Sequence, residues 1–149
     1  LQDAFPAANV DAIRMGVADP LSNEDATRVV LRSELGFTNE TVVFAAYGGI
    51  TPEKRIPQIM RALAAVVSQV PAARLLLVGN ETDHYDAKTD ARTFGVGDHV
   101  TFAGYVDDVE FPQYLAAADL EIDSADGLDI TEMHRQACSL NPRFHPLLR

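Results

Sequence analysis

The 149-residue chain carries 22 acidic against 12 basic side chains, a formal net charge of −10, and is 47% hydrophobic and 23% charged. That composition fits a single globular domain with its own core, and its field repels nucleic-acid phosphates and anionic membrane leaflets without excluding a local cationic pocket. A single cysteine, Cys138, excludes a disulfide framework or multi-cysteine zinc site, and no apolar run approaches the roughly 20 residues of a membrane span.

No signal-peptide pattern precedes the first elements, so an intracellular (cytoplasmic), reducing location is expected. The chain begins at Leu1 rather than Met, as a fragment or processed chain would. There is no repeat, no low-complexity tract and no dividing linker, and strand and helix alternate. Asn23-Glu24-Asp25 opens a polar-to-apolar helical stretch through Val29, Val30 and Leu35, which Gly36 stops. Thr41 to Tyr47 (TVVFAAY) is a β-branched and aromatic run, apolar on both faces.

The next helix is the best marked. Ile56, Ile59, Met60, Leu63, Val66, Val67 and Val70 step by three and four and make one apolar stripe. Thr51 is read as its N-cap and Pro52 as its first residue, where a missing N–H costs nothing, and Pro71 prevents continuation. Arg74 to Val78 (RLLLV) is a second strand. A helix from about Tyr85 to Phe94, closed by Gly95, leads to the weaker strand Val100 to Ala103. A third helix over Val109 to Ala118 packs Phe111, Tyr114 and Leu115, and Leu120 to Ile122 is a last strand. Continuous apolar strands separated by helices imply βαβ units. The expected fold is therefore α/β: Rossmann-like, doubly wound, with a mostly parallel sheet flanked by helices.

In such sheets ligands bind beyond the carboxyl ends of the strands. Three strand ends carry suitable chemistry. Gly48 and Gly49 let backbone N–H groups approach a ligand, and the helix start beyond them carries partial positive charge. Lys54 and Arg55, read as lying in the first helical turn, oppose that charge, a cost that a bound anion offsets. The competing reading has Glu53 offsetting the dipole and both cations in solvent. Gly79 and Asn80 follow the second strand, either as an ordinary turn or as a donor and acceptor pair at a ligand. Tyr105 and Val106 follow the third, with Tyr105 either a face for a base or sugar or a core tyrosine.

Other constellations carry less. His134 and Cys138 have helical metal-ligand spacing but lack a third ligand in register, so no metal is expected. His84, His99 and His145 read as surface residues without partners. Asp83, Asp86, Asp90, Asp107 and Asp108 read as a solvated acidic surface. No P-loop, G-x-G-x-x-G fingerprint or Ser-His-Asp order is present.

From about residue 9 to 120 the chain resembles the C-terminal, donor-binding domain of the group 1 (family 4) retaining glycosyltransferases of the GT-B fold. Three stretches, FAAYGGITPEKRIPQIMRALA, PAARLLLVGN and FGVGDHVTFAGYVDDVEFPQYLAAADL, carry the resemblance in order and spacing. VDAIRMGVADP looks like the short strand and Gly-Val turn that follow the family's interdomain linker. The resemblance implies that Lys54 contacts the donor's phosphates and that the Gly48-Gly49 loop lies close to phosphate or sugar. Gly49 stands where many relatives carry arginine, a charge that Arg55 partly replaces. Gly79 and Asn80 then line the nucleotide cleft, and Tyr105 and Val106 hold the base.

The chain departs from the family after residue 120. SADGLDITEMHRQACSLNPRFHPLLR offers Glu132 for the second carboxylate of a Glu-x7-Glu pattern, but Ser124 stands where the first belongs. The expected organisation is one nucleotide-sugar-binding domain over 1–149, with a linker and first strand over 1–22, a core over 23–120 and a divergent tail over 121–149. The resemblance implies a metal-free, cofactor-free domain that binds a UDP- or GDP-linked sugar for transfer to an acceptor hydroxyl. It would be inactive without an N-terminal acceptor domain and would tend to self-associate. Two other readings stand beside it. One is a scaffold domain with a vestigial pocket. The other is an epimerase-like nucleotide-sugar enzyme, whose further catalytic carboxylates and histidines have no evident place here.

Overall fold

Strands that are apolar on both faces need a helical layer on each side, and the molecule supplies both. Residues 24–122 are described by the computed structural model. In chain order they form α1 (Glu24–Glu34), β1 (Val42–Tyr47), α2 (Ile56–Val67), β2 (Ala73–Val78), α3 (Ala87–Thr93), β3 (Val100–Gly104), α4 (Phe111–Ala117) and β4 (Leu120–Glu121). A short 3-10 turn, Gly97–His99, leads into β3. The expected first strand, Glu132, the His134 and Cys138 pair, His145 and nearly all of the divergent tail lie outside the described residues.

The four strands pair in the order β3-β2-β1-β4, and every pairing is parallel. Side chains alternate strictly between the two faces. Val42, Phe44 and Ala46 join Leu75 and Leu77 in a core beneath α2 and α3, whereas Val43 and Ala45 join Leu76 and Val78 in a second core with Phe37 and Tyr114. The doubly wound, Rossmann-like α/β architecture follows directly. No helix among the described residues is long and apolar enough to cross a membrane.

α2 buries Ile56, Ile59, Met60, Leu63 and Val66, as the stripe predicts. Each such side chain contributes roughly 2 kcal/mol of transfer free energy. Its start differs from expectation. Pro52 to Arg55 form a turn, Arg55 caps the helix in the left-handed region (φ 56°, ψ 26°), and the proline of the first turn is Pro57. A helix begun at Pro52 would need an N–H from Pro57 and would drive its ring into the carbonyl of Glu53. Proline is tolerated only in the opening turn, so Pro57 fixes where α2 begins. The helix also ends before Val70, which is buried just beyond it and donates its N–H to the Val66 carbonyl at 2.7 Å.

Of the acids read as a solvated surface, Asp83, Asp86, Asp107 and Asp108 are exposed, and two of them also start helices. Asp86 caps α3, accepting the Thr89 N–H at 3.0 Å and its hydroxyl at 2.7 Å, and these bonds hold its carboxyl below the ordinary range. Asp107 accepts the N–H groups of Val109 and Glu110 at 2.9 and 2.8 Å, so α4 starts at Phe111. Asp90 accepts the Tyr85 hydroxyl at 2.8 Å. His99 is half-buried rather than unpartnered, its Nδ1 lying 3.0 Å from the Ala73 carbonyl and 2.8 Å from Arg74 Nη1.

α1 departs most from an apolar pattern. Val29 and Val30 are 64% and 57% exposed, while the face turned inward carries Leu31 and Arg32. The buried Arg32 guanidinium donates to the carbonyls of Ala117 (3.0 Å), Thr38 (3.0 Å) and Thr41 (2.5 Å) and to Asp119 Oδ2 (3.1 Å). One turn earlier, Arg28 pairs with Asp119 Oδ1 and donates to the Ala116 and Ala118 carbonyls at 2.7 and 2.6 Å. Both cations thus meet the negative end of α4, and Asp119 also accepts the Val43 N–H at 2.7 Å. Removing one member of a buried, hydrogen-bonded pair leaves its partner uncompensated. Arg32→Met is expected to lower the unfolding free energy by about 3 kcal/mol in urea denaturation. A loss below about 1 kcal/mol would mean that the network does not hold α1 to α4.

Candidate functional site

A crossover that reverses direction leaves a crevice between the two strands on either side of the reversal. Here β1 leads through α2 to β2 and then β3 on one side, and α4 returns the chain to β4 on the other side of β1. The crevice at the carboxyl ends of β1 and β4 is a cleft of about 150 Å³. Its walls include Gly49 and Lys54 from the loop after β1, Ile56 and Ile59 from α2, and Glu121 from β4. An apolar floor and one cation therefore converge at the switch point, while Glu121, in register with Ala45, reaches the rim with its side chain on the second-core face of the sheet.

Three strand ends are laced together behind that cleft. Gly48 donates its N–H to the Val78 carbonyl at 2.9 Å, Ile50 donates to the Asn80 carbonyl at 2.9 Å, and Gly79 donates to the Gly104 carbonyl at 2.8 Å. The Gly48 N–H is thus committed to the sheet rather than free for a ligand, and Gly49 is the loop residue that lines the cleft. Gly79 has φ 143°, and a Cβ built there would sit 1.8 Å from the Gly48 carbonyl oxygen. Only glycine allows this close crossing of the two loops.

Lys54 and Arg55 are both exposed and precede α2 instead of lying inside its first turn. α2 has no acidic residue in its first turn and no side-chain cap, so its positive end faces this loop uncompensated by Glu53. The Glu53 carboxyl is held below the ordinary range by its own backbone N–H and the Thr51 hydroxyl. Thr51 Oγ1 also accepts the Lys54 N–H at 3.3 Å, tightening the turn in place of capping a helix at Pro52.

The other expected positions lie farther along the sheet edge. Asn80 is exposed, with its carbonyl taken by Ile50. Tyr105 is 72% exposed, which sets aside the core reading, whereas Val106 packs against the second core. They follow β3, two strand spacings or roughly 10 Å from the end of β1. The cleft therefore brings together Gly49 and Lys54, with Gly48, Gly79 and Asn80 bracing the loop and Tyr105 at a distance.

Glu121 is a cleft residue that pattern reading missed, since it falls in a two-residue strand at the start of the divergent tail. Its apolar neighbours Leu120 and Ile122 gave the strand, and the interrupting charge was the available signal. Tyr47 also lines the cleft but is structural. Its hydroxyl donates to the Tyr114 carbonyl at 3.1 Å, its ring meets Phe111 edge-on at 5.3 Å, and burial with the Glu121 charge pushes its phenol far above the ordinary range. Among the described residues no group of three His, Cys, Asp or Glu side chains is placed to hold a metal ion.

With that geometry in place, known proteins provide the comparison. The family model for glycosyl transferases group 1 matches residues 28–123. A GDP-mannose-dependent monoacylated alpha-(1-6)-phosphatidylinositol monomannoside mannosyltransferase of Corynebacterium glutamicum is 30% identical over 142 residues, covering 89% of this chain and 35% of that protein. Among solved structures, WaaG, a glycosyltransferase involved in lipopolysaccharide biosynthesis, superposes with a TM-score of 0.57 at 19% identity over 79% of this chain and 34% of its own. Anabaena HepE, solved in complex with UDP and glucose, gives 0.54 at 24% identity over 66% of this chain and 26% of its own. The chain spans about a third of the length of the first of these relatives.

Arg55 is the single non-glycine residue with positive φ among those described. Relieving a left-handed backbone recovers roughly 1 kcal/mol, and glycine's greater unfolded freedom returns about half of it. Arg55→Gly is therefore expected to be about 0.5 kcal/mol more stable than the wild type in urea, and Arg55→Val about 1 kcal/mol less stable. Equal effects of both variants would show that the left-handed turn carries no strain.

Proposed function

The chain belongs to the group 1 glycosyl transferases, and from that premise we propose that it binds a nucleoside-diphosphate sugar for transfer of the sugar to an acceptor hydroxyl. The observation that carries this reading is the cleft at the strand-order reversal, with Lys54 and the glycine loop beside the uncapped start of α2. Departure of a sugar leaves growing negative charge on the diphosphate. An ammonium and a helix N-terminus beside that charge stabilise it and so lower the barrier. Lys54 is the catalytic group on this view, holding the β-phosphate as the glycosidic bond breaks.

Gly49 lets the diphosphate approach the backbone while Gly48, tied to β2, braces the loop, Arg55 adds a second cation beyond Lys54, and Gly79 and Asn80 shape the wall between phosphate and base. Tyr105 offers the base an exposed ring, with Val106 fixing the loop that carries it. Glu132, outside the described residues, is proposed as the second carboxylate of the pair that grips the donor sugar and the ribose hydroxyls. We assign GDP-mannose as the first donor to test, because the Corynebacterium relative is named for it. Acceptor binding belongs to an N-terminal domain outside this chain, and the isolated chain would bind donor without turnover.

Calorimetric titration of the chain with GDP, UDP and ADP tests the reading. Saturable binding of one nucleotide is expected, weakened about tenfold by Lys54→Ala as a charge-assisted phosphate contact is lost. A folded protein that binds none of them at millimolar concentration would favour the scaffold reading.

A further inference from the structure

The two ends of the proposed donor site stand on different strands. Gly49 and Lys54 follow β1, whereas Tyr105 and Val106 follow β3, roughly 10 Å away with β2 between them. A ligand held at both ends gains from its second contact only when the protein already fixes the spacing between them. The backbone bonds that lace the strand ends reach from β1 to β3 in two steps, through β2. Tyr47, the last residue of β1 and the neighbour of Gly48, reaches toward the base-carrying loop in one.

The Tyr47 side chain lies on the second-core face of the sheet, together with Val106 and Tyr114. Its ring meets Phe111, the first residue of α4, and its hydroxyl donates to the carbonyl of Tyr114, three residues on. Tyr114 begins the last four residues of α4, whose carbonyls have no partner inside the helix. The Ala118 N–H serves Leu115 at 3.3 Å, and Arg28 and Arg32 serve Ala116 and Ala117, so Tyr47 completes the set. The segment after Tyr105 is bound to the start of the same helix: Asp107 Oδ1 accepts the Val109 and Glu110 N–H groups, and its carbonyl accepts the Phe111 N–H at 2.9 Å. One aromatic side chain thus joins the strand that leads into the phosphate loop to the helix that follows the base loop.

We propose that Tyr47 is a positioning residue, whose ring and hydroxyl hold α4 and the loop before it at a fixed spacing from Gly49 and Lys54, so that base and diphosphate are bound as one ligand. It touches neither end of the donor. Without the tie, each end keeps its own contacts, but the ligand that spans both must spend part of its binding free energy on restoring the spacing. A ligand that occupies the phosphate end alone bears no such cost. The inference rests on the donor-binding reading and adds to it the residue that couples its two halves.

Two ligands separate coupling from a general loss of structure: GDP, which spans both ends, and inorganic pyrophosphate, which fills the phosphate end only. Each is titrated by calorimetry into the full wild-type chain, Tyr47→Phe and Phe111→Leu, with circular dichroism to verify folding. Tyr47→Phe removes only the hydroxyl and is expected to weaken GDP about fivefold, the worth of one hydrogen bond, with pyrophosphate unchanged. Phe111→Leu breaks the ring contact from the side of α4 and is expected to weaken GDP about threefold, again with pyrophosphate unchanged. GDP and pyrophosphate weakened by the same factor, or GDP unmoved by either variant, would overturn the role of Tyr47 and leave the donor site standing. A wild type that binds GDP but not pyrophosphate would also overturn it, because the phosphate end would then have no hold of its own to be coupled. A folded wild type that binds neither ligand would overturn the donor-binding reading, and this inference with it.

Discussion

Asp119 is the residue on which the arrangement of the sheet depends, because it joins four elements at one point. Its carboxylate receives two arginines from α1 and the N–H of Val43 in β1, while it sits between the end of α4 and the start of β4. β4 pairs with β1 through only Phe44 with Leu120 and Ala45 with Glu121. So short a pairing supplies little of its own free energy. Asp119, with its N–H donating to the Val43 carbonyl at 2.9 Å, holds β4 in register from its first residue. Position of β4 beside β1 is what creates the crevice, so a charge cluster at one end of the sheet sets the geometry at the other.

The arginines also resolve a difficulty at α4. This seven-residue helix ends with carbonyls that have no partner within the helix itself. Arg28 and Arg32 donate to three consecutive carbonyls from Ala116 to Ala118 and neutralise the negative end at once. Burying a guanidinium is costly in isolation, but every acceptor around Arg32 faces a donor, which turns a penalty into a specific attachment. An apolar residue at that position would pack yet would leave those carbonyls unpaired.

The strands and helices were legible in the sequence because burial on two faces demands continuous apolar runs, and α2 was legible because a stripe at helical spacing has few other uses. Its start was misplaced at Pro52 because local signals, Thr51 and two prolines in the segment, fit either of two beginnings. The geometric veto comes from Pro57, five residues into the longer helix. α1 was half legible: its limits were clear, but its buried face depends on Arg28 and Arg32, whose partners are about ninety residues away. Long-range charge pairing leaves no periodic trace. Gly49 and Lys54 could be placed at a strand end from spacing alone. Glu121 could not, since its membership in the cleft follows only from β4 crossing to the far side of β1.

Net charge and local charge act at different ranges in this molecule. A chain at −10 repels an anionic ligand from afar, but in physiological salt that field fades within about 8 Å. Beyond that distance steering gives no help, so an anion reaching the cleft must be held by contacts inside it: one lysine, the glycine loop and the start of a helix. Contacts of this kind are directional. They favour a ligand whose charge lies at the loop, beside Lys54 and Gly49. The surrounding acidity thus raises the demand on those contacts, because an anion that misses them gains nothing to offset the field it has entered.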